Sequence, residues 1–260
     1  MPDKREHRGP HPADAELFSP EQLERLRAAV ADFSMLLTKG YAEKSALALV
    51  GDRFSLTQRQ RMAVMRGACS DRQLQSRLER RVSVEALANR PIAIDGYNLL
   101  ITIEAAMSGG LIFKGRDGCF RDLASIHGTY RKVEETIPAV RLVGTFLTEL
   151  RVAQTLWLLD SPVSNSGRLK TLLNRLAQDN DWPWQIRLTI SPDAELSSQL
   201  TVGSPQFPAN QQPTTDNPQL TAIVVSTDSV ILDACRTWAN LAAEIIAQDL
   251  PAATIIDLGP

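Results

Sequence analysis

The chain of 260 residues is 43% hydrophobic and 22% charged, an ordinary globular composition with room for one large domain or two smaller ones. Its formal net charge of −2 offers no whole-chain argument for nucleic-acid binding. No apolar run approaches the ~18 residues of a membrane span, and the polar segment Met1 to Pro12 lacks a signal-peptide core, so we expect a cytoplasmic protein.

The N-terminal third is predicted to be helical. Residues 1–18 are polar and are expected to form a disordered leader. Ser19 and Pro20 then begin a helix, because serine favours the N-cap and proline the first helical position, and Gly40 ends it. Further helices are predicted over 43–50, 57–68, 71–80 and 83–88. Residues 19–89 are therefore predicted to form a small, basic all-α domain.

The helical region contains a concentrated basic block. Residues 53–81 carry eight arginines that are opposed only by Asp71 and Glu79. Such a block is either a solvated helix face or a surface that contacts phosphate groups, and the sequence leaves both interpretations open.

The character of the sequence changes at Pro91, which opens a region predicted to be α/β over residues 90–260. Short apolar runs typical of buried strands alternate with segments of helical periodicity. The strands are predicted over 92–95, 155–160, 185–190, 222–228 and 253–258, and the helices over 99–107, 123–130, 138–154, 167–178 and 229–247. This alternation predicts a mainly parallel sheet built by right-handed crossovers. The polar stretch 201–218 has the composition of a mobile loop.

Acidic residues follow the predicted strands. Asp95, Asp160 and Asp228 each come directly after an apolar strand, and Asp193 follows another after a Ser-Pro turn. In one parallel sheet all four would gather at the carboxyl edge, where their like charges call for a hard cation such as Mg²⁺ or Mn²⁺. Such an ion can activate water against a phosphodiester. Any one of these acids could equally be a helix cap or turn former, so the recurrence carries the prediction.

Other polar residues are candidates for substrate contacts. The amide of Asn98 could orient a carboxylate or phosphate, or cap a helix that begins at Leu99. The loop after Asp160 leads into a helix N-terminus, which is a natural anion site. Arginines near the turns of the α/β region could contact a nucleic-acid backbone, although each could also be an ordinary surface residue. The full set of predicted substrate-binding residues is Asn98, Ser161, Ser164, Asn165, Arg116, Arg121 and Arg131.

Three short segments resemble the NYN branch of the PIN-like ribonucleases. They are Ile94 to Asn98, Ser191 to Leu196 and Val224 to Asp228. The resemblance implies a three-layer α/β/α sandwich that binds Mg²⁺ or Mn²⁺ and cleaves RNA. It also implies that Asp95, Asp193 and Asp228 are metal ligands, with Asp160 as a fourth. Pro192 departs from the small residue expected before the second acid.

The chain from Phe18 to Ile246 also resembles an uncharacterised prokaryotic "domain of unknown function" family that joins a helical half to a PIN-like half. The matching segments are Lys39-Gly40-Tyr41, Val50 to Phe54, Arg59-Gln60-Arg61, Arg121-Asp122, His127-Gly128, Tyr130-Arg131 and Asp160 to Ser164. This resemblance implies no established activity.

Three functions compete. The first is a metal-dependent ribonuclease in which the four aspartates bind the ion and the arginines of the helical domain hold RNA. The second is a non-catalytic RNA-binding or adaptor protein that keeps the PIN-like fold. The third is a phosphatase or nucleotide hydrolase, against which the absence of a phosphate-binding loop and of an Asp-x-Asp nucleophile motif at the end of a predicted strand counts.

Overall fold

A computed structural model describes residues 7–124, 128–198, 200 and 221–259. The predicted loop 201–218 lies outside the described residues, as do the first six residues of the predicted leader. None of the helices in the described part of the chain has the length and apolar character needed to cross a bilayer.

The N-terminal region is helical, as predicted. Its helices are α1 (Asp14–Leu17), α2 (Pro20–Thr38), α3 (Glu43–Arg53), α4 (Gln58–Gly67) and α5 (Asp71–Arg80), and a 3₁₀ turn covers Val84–Leu87. Thr57 and Ser70 begin α4 and α5 through reciprocal capping boxes with the glutamine three residues later. The apolar faces of α2 and α4 pack together in one buried cluster.

The prediction of a disordered leader over residues 1–18 is wrong for the described residues of that segment. Asp14 in α1 is 2% exposed, and its Oδ2 accepts a hydrogen bond from Arg59 Nη2 at 2.8 Å. Arg8 forms an ion pair with the fully buried Glu104. The polar composition that suggested disorder therefore supplies buried charges to the fold, each with a partner.

The main sheet of the described chain has six strands, and every pairing in it is parallel. The strands are β1 (Arg81–Val82), β2 (Pro91–Asp95), β5 (Gln154–Asp160), β6 (Trp184–Thr189), β7 (Ile223–Val225) and β8 (Trp238–Ala239). Their order is β1-β8-β7-β2-β5-β6. The predicted mainly parallel sheet is thus confirmed.

Helices cover both faces of this sheet. They are α6 (Gly96–Met107), α7 (Thr136–Glu149), α8 (Ser166–Asp179), α9 (Pro192–Ser197), α10 (Ser229–Ala234) and α11 (Leu241–Asp249). Ile92, Ile94 and Trp157 share one core with α6, α7, α8 and α11, whereas Ala93 and Leu156 share another with α9 and α10. Because side chains alternate along a strand, strands buried on both faces are apolar throughout.

A second, three-stranded sheet ties the helical region to the rest of the chain. It contains β3 (Ile112–Lys114), β4 (Phe120–Arg121) and β9 (Ile255–Asp257), in the order β4-β3-β9. Phe113 and Leu258 from this part lie in the same apolar cluster as α2 and α4. The helical region also supplies the edge strand β1 to the main sheet. The predicted boundary at residues 89–90 therefore does not separate two cores.

Three predicted elements need correction. The helix predicted over 229–247 is broken into α10 and α11 by β8, because Trp238 and Ala239 pair with Val224 and Val225 of β7. The strand predicted over 253–258 joins the second sheet, not the main one. Of the helix predicted over 123–130, the described residues 123–124 and 128–130 are not helical, and the others lie outside the described chain.

Candidate active site at the carboxyl edge of the sheet

The four predicted acids follow four neighbouring parallel strands. In the order β7-β2-β5-β6, Asp228 follows β7, Asp95 ends β2, Asp160 ends β5 and Asp193 follows β6. The chain runs from β2 to β5 and β6 on one side and returns to β7 on the other. The strand order thus reverses between β2 and β7, and open parallel sheets place ligands at the carboxyl edge of such a reversal.

The register of the strands sets these acids at two levels. Asp95 pairs with Leu158, so Asp160 lies two residues, or roughly 7 Å, farther along its strand. On the other side Ile94 pairs with Val225, which brings Ser226 level with Asp95 and leaves Asp228 beyond it. Asp95 therefore lies at the floor of the edge, and Asp160 and Asp228 lie at its rim.

Asp95 is the most buried of the four carboxyl groups. Its side chain accepts a hydrogen bond from Ser226 Oγ at 2.9 Å, and the residue is 8% exposed. Burial, assisted by the carboxylates of Asp228 and Asp193, raises the pKa of Asp95 to about 7 against the opposing effect of the Ser226 hydrogen bond. The protonated and ionised forms of Asp95 are thus both accessible near neutral pH.

Asp160, Asp193 and Asp228 also influence one another. Burial raises the pKa of Asp160 above its ordinary value, and the carboxylate of Asp193 adds to this effect. Burial likewise raises the pKa of Asp193, with a further contribution from Asp228. Because a neighbouring carboxylate adds to the effect of burial in each case, the carboxylates form one electrostatically coupled group at the edge of the sheet.

Asp228 is also the N-cap of α10. Its Oδ1 accepts hydrogen bonds from the backbone N–H groups of Val230 at 2.8 Å and Ile231 at 3.4 Å. Asp228 therefore caps a helix, as the sequence allowed, and also belongs to the group of acids at the sheet edge.

Asn98 does not cap a helix. Helix α6 begins at Gly96, three residues earlier than predicted, so Asn98 lies inside its first turn. Its Oδ1 accepts hydrogen bonds from the backbone N–H of Thr227 at 3.0 Å and from Thr227 Oγ1 at 2.9 Å. Ser226 Oγ in turn accepts a hydrogen bond from the N–H of Asp228 at 3.0 Å. Asn98 therefore holds the loop that carries Asp228.

Gly96 is required by the close approach of α6 to β5. A Cβ atom at this position would lie 2.6 Å from Leu159 Cδ2 and 2.9 Å from the carbonyl oxygen of Leu158. Any larger residue would push the start of α6, and Asp95 with it, away from the sheet. The glycine next to Asp95 thus fixes the position of the buried acid.

Arg121 lies behind the Ser226–Asp228 loop and not on its surface. It is 6% exposed, its Nε donates to the carbonyl oxygen of Thr227 at 2.8 Å, and its other nitrogens bind Asp117 at 2.7 and 2.9 Å. Asp117 also accepts from the buried Arg77, and these arginines hold the pKa of its carboxyl well below the ordinary range, although burial alone would raise it. The sequence predicts that Arg121 contacts substrate, but in the structure it supports the loop that carries Asp228.

The remaining predicted binding residues are dispersed. Arg116 pairs with Asp71 at 2.6 Å and donates to the Cys69 carbonyl, outside the acidic edge. Asn165 is the N-cap residue of α8, with φ of 70°, and its Nδ2 donates to the Tyr130 carbonyl at 3.0 Å. In the loop between Asp160 and α8, the predicted binding residues Ser161, Ser164 and Asn165 are exposed. Arg131 is half-buried and lines a separate cavity beside α8.

The basic block of the helical region is largely neutralised. Five of its eight arginines form ion pairs with carboxylates, and these pairs are Arg53–Asp32, Arg59–Asp14, Arg61–Asp52, Arg66–Asp122 and Arg77–Asp117. Arg80 donates to the carbonyl of Cys235, and Arg81 lies over the Trp238 ring at 5.8 Å. The block therefore mainly holds the fold together, which leaves little of its charge for phosphate groups.

A cavity of about 550 Å³ opens beside Thr227 and Asp228, between the helical region and the sheet. Phe33 and Met65 from α2 and α4 contribute apolar surface to it, and Tyr97 and Asn98 contribute from α6. The hydroxyl of Tyr97 is buried without a hydrogen-bond partner among the described residues. Sequence reasoning missed this cavity because its walls come from segments far apart in the chain.

The four acids fit a divalent metal in chemistry but do not form a compact ligand set. Their donors are carboxylate oxygens, and their mutual repulsion would be relieved by a cation. Within the described residues, however, no three His, Cys, Asp or Glu side chains lie close enough together to hold a metal ion. The offset between Asp95 and the rim acids is consistent with this finding.

Comparisons with known proteins match both halves of the chain to families without an assigned function. Residues 84–244 match the family described as Domain of unknown function (DUF5616), and residues 25–80 match the one described as Protein of unknown function (DUF434). A relative, the uncharacterized protein MJ0935 of Methanocaldococcus jannaschii, is 28% identical over 144 residues, which cover 55% of this chain and 69% of the relative. No solved structure matches the chain.

These matches confirm the predicted resemblance to proteins of unknown function, but they do not identify a PIN-like or NYN family. They also divide the helical half and the α/β half between two families, where the sequence suggested one. Because the first match covers more than half of the chain, the chain belongs to the family described as Domain of unknown function (DUF5616).

Proposed function

We propose that this protein is a metal-dependent ribonuclease of the PIN-like type, which hydrolyses phosphodiester bonds at the carboxyl edge of its sheet. The observation that supports the proposal most is that four acids from four neighbouring strands are electrostatically coupled at this edge, three of them with raised pKa values. Such perturbed clusters are typical of functional sites.

In this proposal Asp95, Asp160, Asp193 and Asp228 hold Mg²⁺ or Mn²⁺. When bound, such an ion supplies an activated water and offsets the charge of the phosphodiester. The residues of the chain position the acids: Ser226 bonds Asp95, and Asn98 holds the loop of Asp228.

The cavity beside Thr227 and Asp228 then accommodates the substrate next to the acids. Its mixed lining suits a nucleotide, because apolar and aromatic groups can contact a base while Asn98 offers a polar contact.

A cleavage assay tests the proposal directly. Full-length protein is incubated with an end-labelled single-stranded RNA and millimolar Mn²⁺, and products are resolved on a gel. Asp193→Asn should lower the rate by about 100-fold or more, since even the partners of metal ligands contribute about 10- to 100-fold. Asp179→Asn, which removes an exposed acid from the end of α8, should leave the rate unchanged. Wild-type protein that cleaves no RNA with Mn²⁺ would overturn the proposal.

The second candidate is a non-catalytic RNA-binding or adaptor protein. It is favoured by one observation, the absence of a compact three-residue ligand set among the described acids. This function predicts that RNA binding survives both chelation by EDTA and the Asp193→Asn change, without any cleavage. A gel-shift titration performed with and without EDTA separates it from the first.

A further inference from the structure

The exposed face of α8 and the segment at Arg131 and Lys132 enclose a cavity of about 510 Å³, separate from the one beside Asp228. Four cationic side chains line it, and no acidic residue does so in the described part of the chain. We call it the α8 groove, and its cations are Arg131, Lys132, Arg168 and Arg175.

These four cations share one feature: they line one groove together and none of them has a carboxylate partner among the described residues. Five of the eight arginines in the basic block, by contrast, form ion pairs, including the exposed Arg53 and the half-buried Arg61. Among the described residues none of the four groove cations forms a salt bridge. Like charges gathered without a counter-charge create a field that attracts an anion.

The arrangement of the groove favours an elongated polyanion over a single phosphate group. Arg168 and Arg175 lie seven residues apart on the same face of α8, which places them roughly 10 Å apart along the helix axis. Leu169 and Leu172 lie in the same lining and add apolar surface between the charges. A strand of nucleic acid combines these two features, with a row of phosphates and apolar faces on its sugars and bases.

The groove also adjoins the acidic edge. Tyr130, which lines it, packs its ring against Tyr97 with the ring centroids 5.2 Å apart. Asn165, which also lines the groove, belongs to the loop between Asp160 and α8, and its Nδ2 donates to the Tyr130 carbonyl oxygen at 3.0 Å. This loop therefore joins the end of the α8 groove to the Asp160 side of the candidate active site.

We propose that the α8 groove binds the phosphate backbone of single-stranded RNA and leads it towards the acids at the sheet edge. The choice of RNA rests on the proposed ribonuclease function. The binding itself uses only the groove cations, so it requires neither a metal ion nor cleavage.

The test is a binding measurement that does not involve catalysis. Fluorescence anisotropy follows a labelled, short single-stranded RNA titrated with full-length protein in EDTA, between about 50 and 200 mM salt. The variant is Arg168→Gln/Arg175→Gln. The matched control is Lys39→Gln/Arg72→Gln, which also removes two exposed cations that form no ion pair among the described residues, but from the helical region.

The groove variant should bind RNA at least tenfold more weakly at low salt. Its slope of log affinity against log salt should fall by about 1.4, because each phosphate contact on a single strand contributes about 0.7. The control should bind like wild type, and both variants should keep the wild-type thermal midpoint because the replaced side chains are exposed.

Three results would overturn the inference: wild type that does not bind the RNA, a groove variant that binds as wild type does, or an equal loss in the control. Duplex RNA of the same length that binds more tightly than the single strand would also count against it. A protein that binds RNA through the groove but never cleaves it would refute the ribonuclease proposal alone.

Discussion

Replacing Asp95 with asparagine should stabilise the fold at neutral and alkaline pH while it removes activity. Burial raises the pKa of Asp95 from 3.8 to about 7 in the folded chain. Between these values the folded state binds more protons than the unfolded state does, so the stability of the wild type falls as the pH rises from about 4 to about 7. Asparagine has no charge to bury, and its amide oxygen can still accept the Ser226 hydrogen bond.

The size of the effect follows from the pKa difference. A shift of about three units corresponds to about 4 kcal/mol at 1.36 kcal/mol per unit, which is the largest gain expected at pH 8. At pH 5 the wild type has incurred only the first part of this cost, so the gain should be about 1–2 kcal/mol. The difference should vanish below about pH 3, where Asp95 is protonated in both states.

Urea denaturation followed by tryptophan fluorescence measures this difference, because Trp157 is fully buried and reports on the core. Wild type and Asp95→Asn are compared at several pH values, with Asp179→Asn, which replaces an exposed acid, as the control. Millimolar Mn²⁺ should stabilise the wild type more than the variant if Asp95 is a ligand. A variant less stable than wild type at pH 8, or a difference independent of pH, would refute the reasoning.

Two further changes test the support of the site. Gly96→Ala should lower the free energy of unfolding by about 1–3 kcal/mol, since the added Cβ would clash with the backbone of β5. Gly167→Ala should have little effect, because no atom lies within 4 Å of a Cβ at that position. Equal effects of the two changes in urea denaturation would contradict this. Arg121→Met should lower the free energy of unfolding by about 3 kcal/mol, because it breaks the buried ion pair with Asp117. Arg116 is partly exposed, so Arg116→Met should lower it by less than about 1 kcal/mol. A thermal melt in which both arginine variants match wild type would show that the buried pair contributes nothing.

The candidate site could be predicted in part because its acids follow strands that are visible in the sequence. An apolar run such as residues 92–95 indicates a strand that is buried on both faces, so the residue at its end can be found from the local sequence. The cavity beside Asp228 could not be found in this way. Its walls combine Phe33 and Met65 with Tyr97, and only the packing of distant segments brings these side chains together.

The same limit explains the errors among the arginines. Arg121 and Arg131 look alike in the sequence, since both follow turns and either could face solvent. Asp117 and Thr227 enclose Arg121 in the folded chain, whereas Arg131 has no carboxylate partner among the described residues. The role of a charged side chain depends on which opposite charge the fold places beside it.

The sequence by itself determined the kinds of elements and the acids at their ends, because apolar periodicity and strand-end residues are properties of neighbouring positions. Only the tertiary structure decided that Asp95 lies at the floor and Asp160 and Asp228 at the rim, since this offset depends on the register between strands distant in the chain. It also decided that Trp238 interrupts a predicted helix to join the sheet. Strand order and register are set by long-range packing, which no local pattern contains.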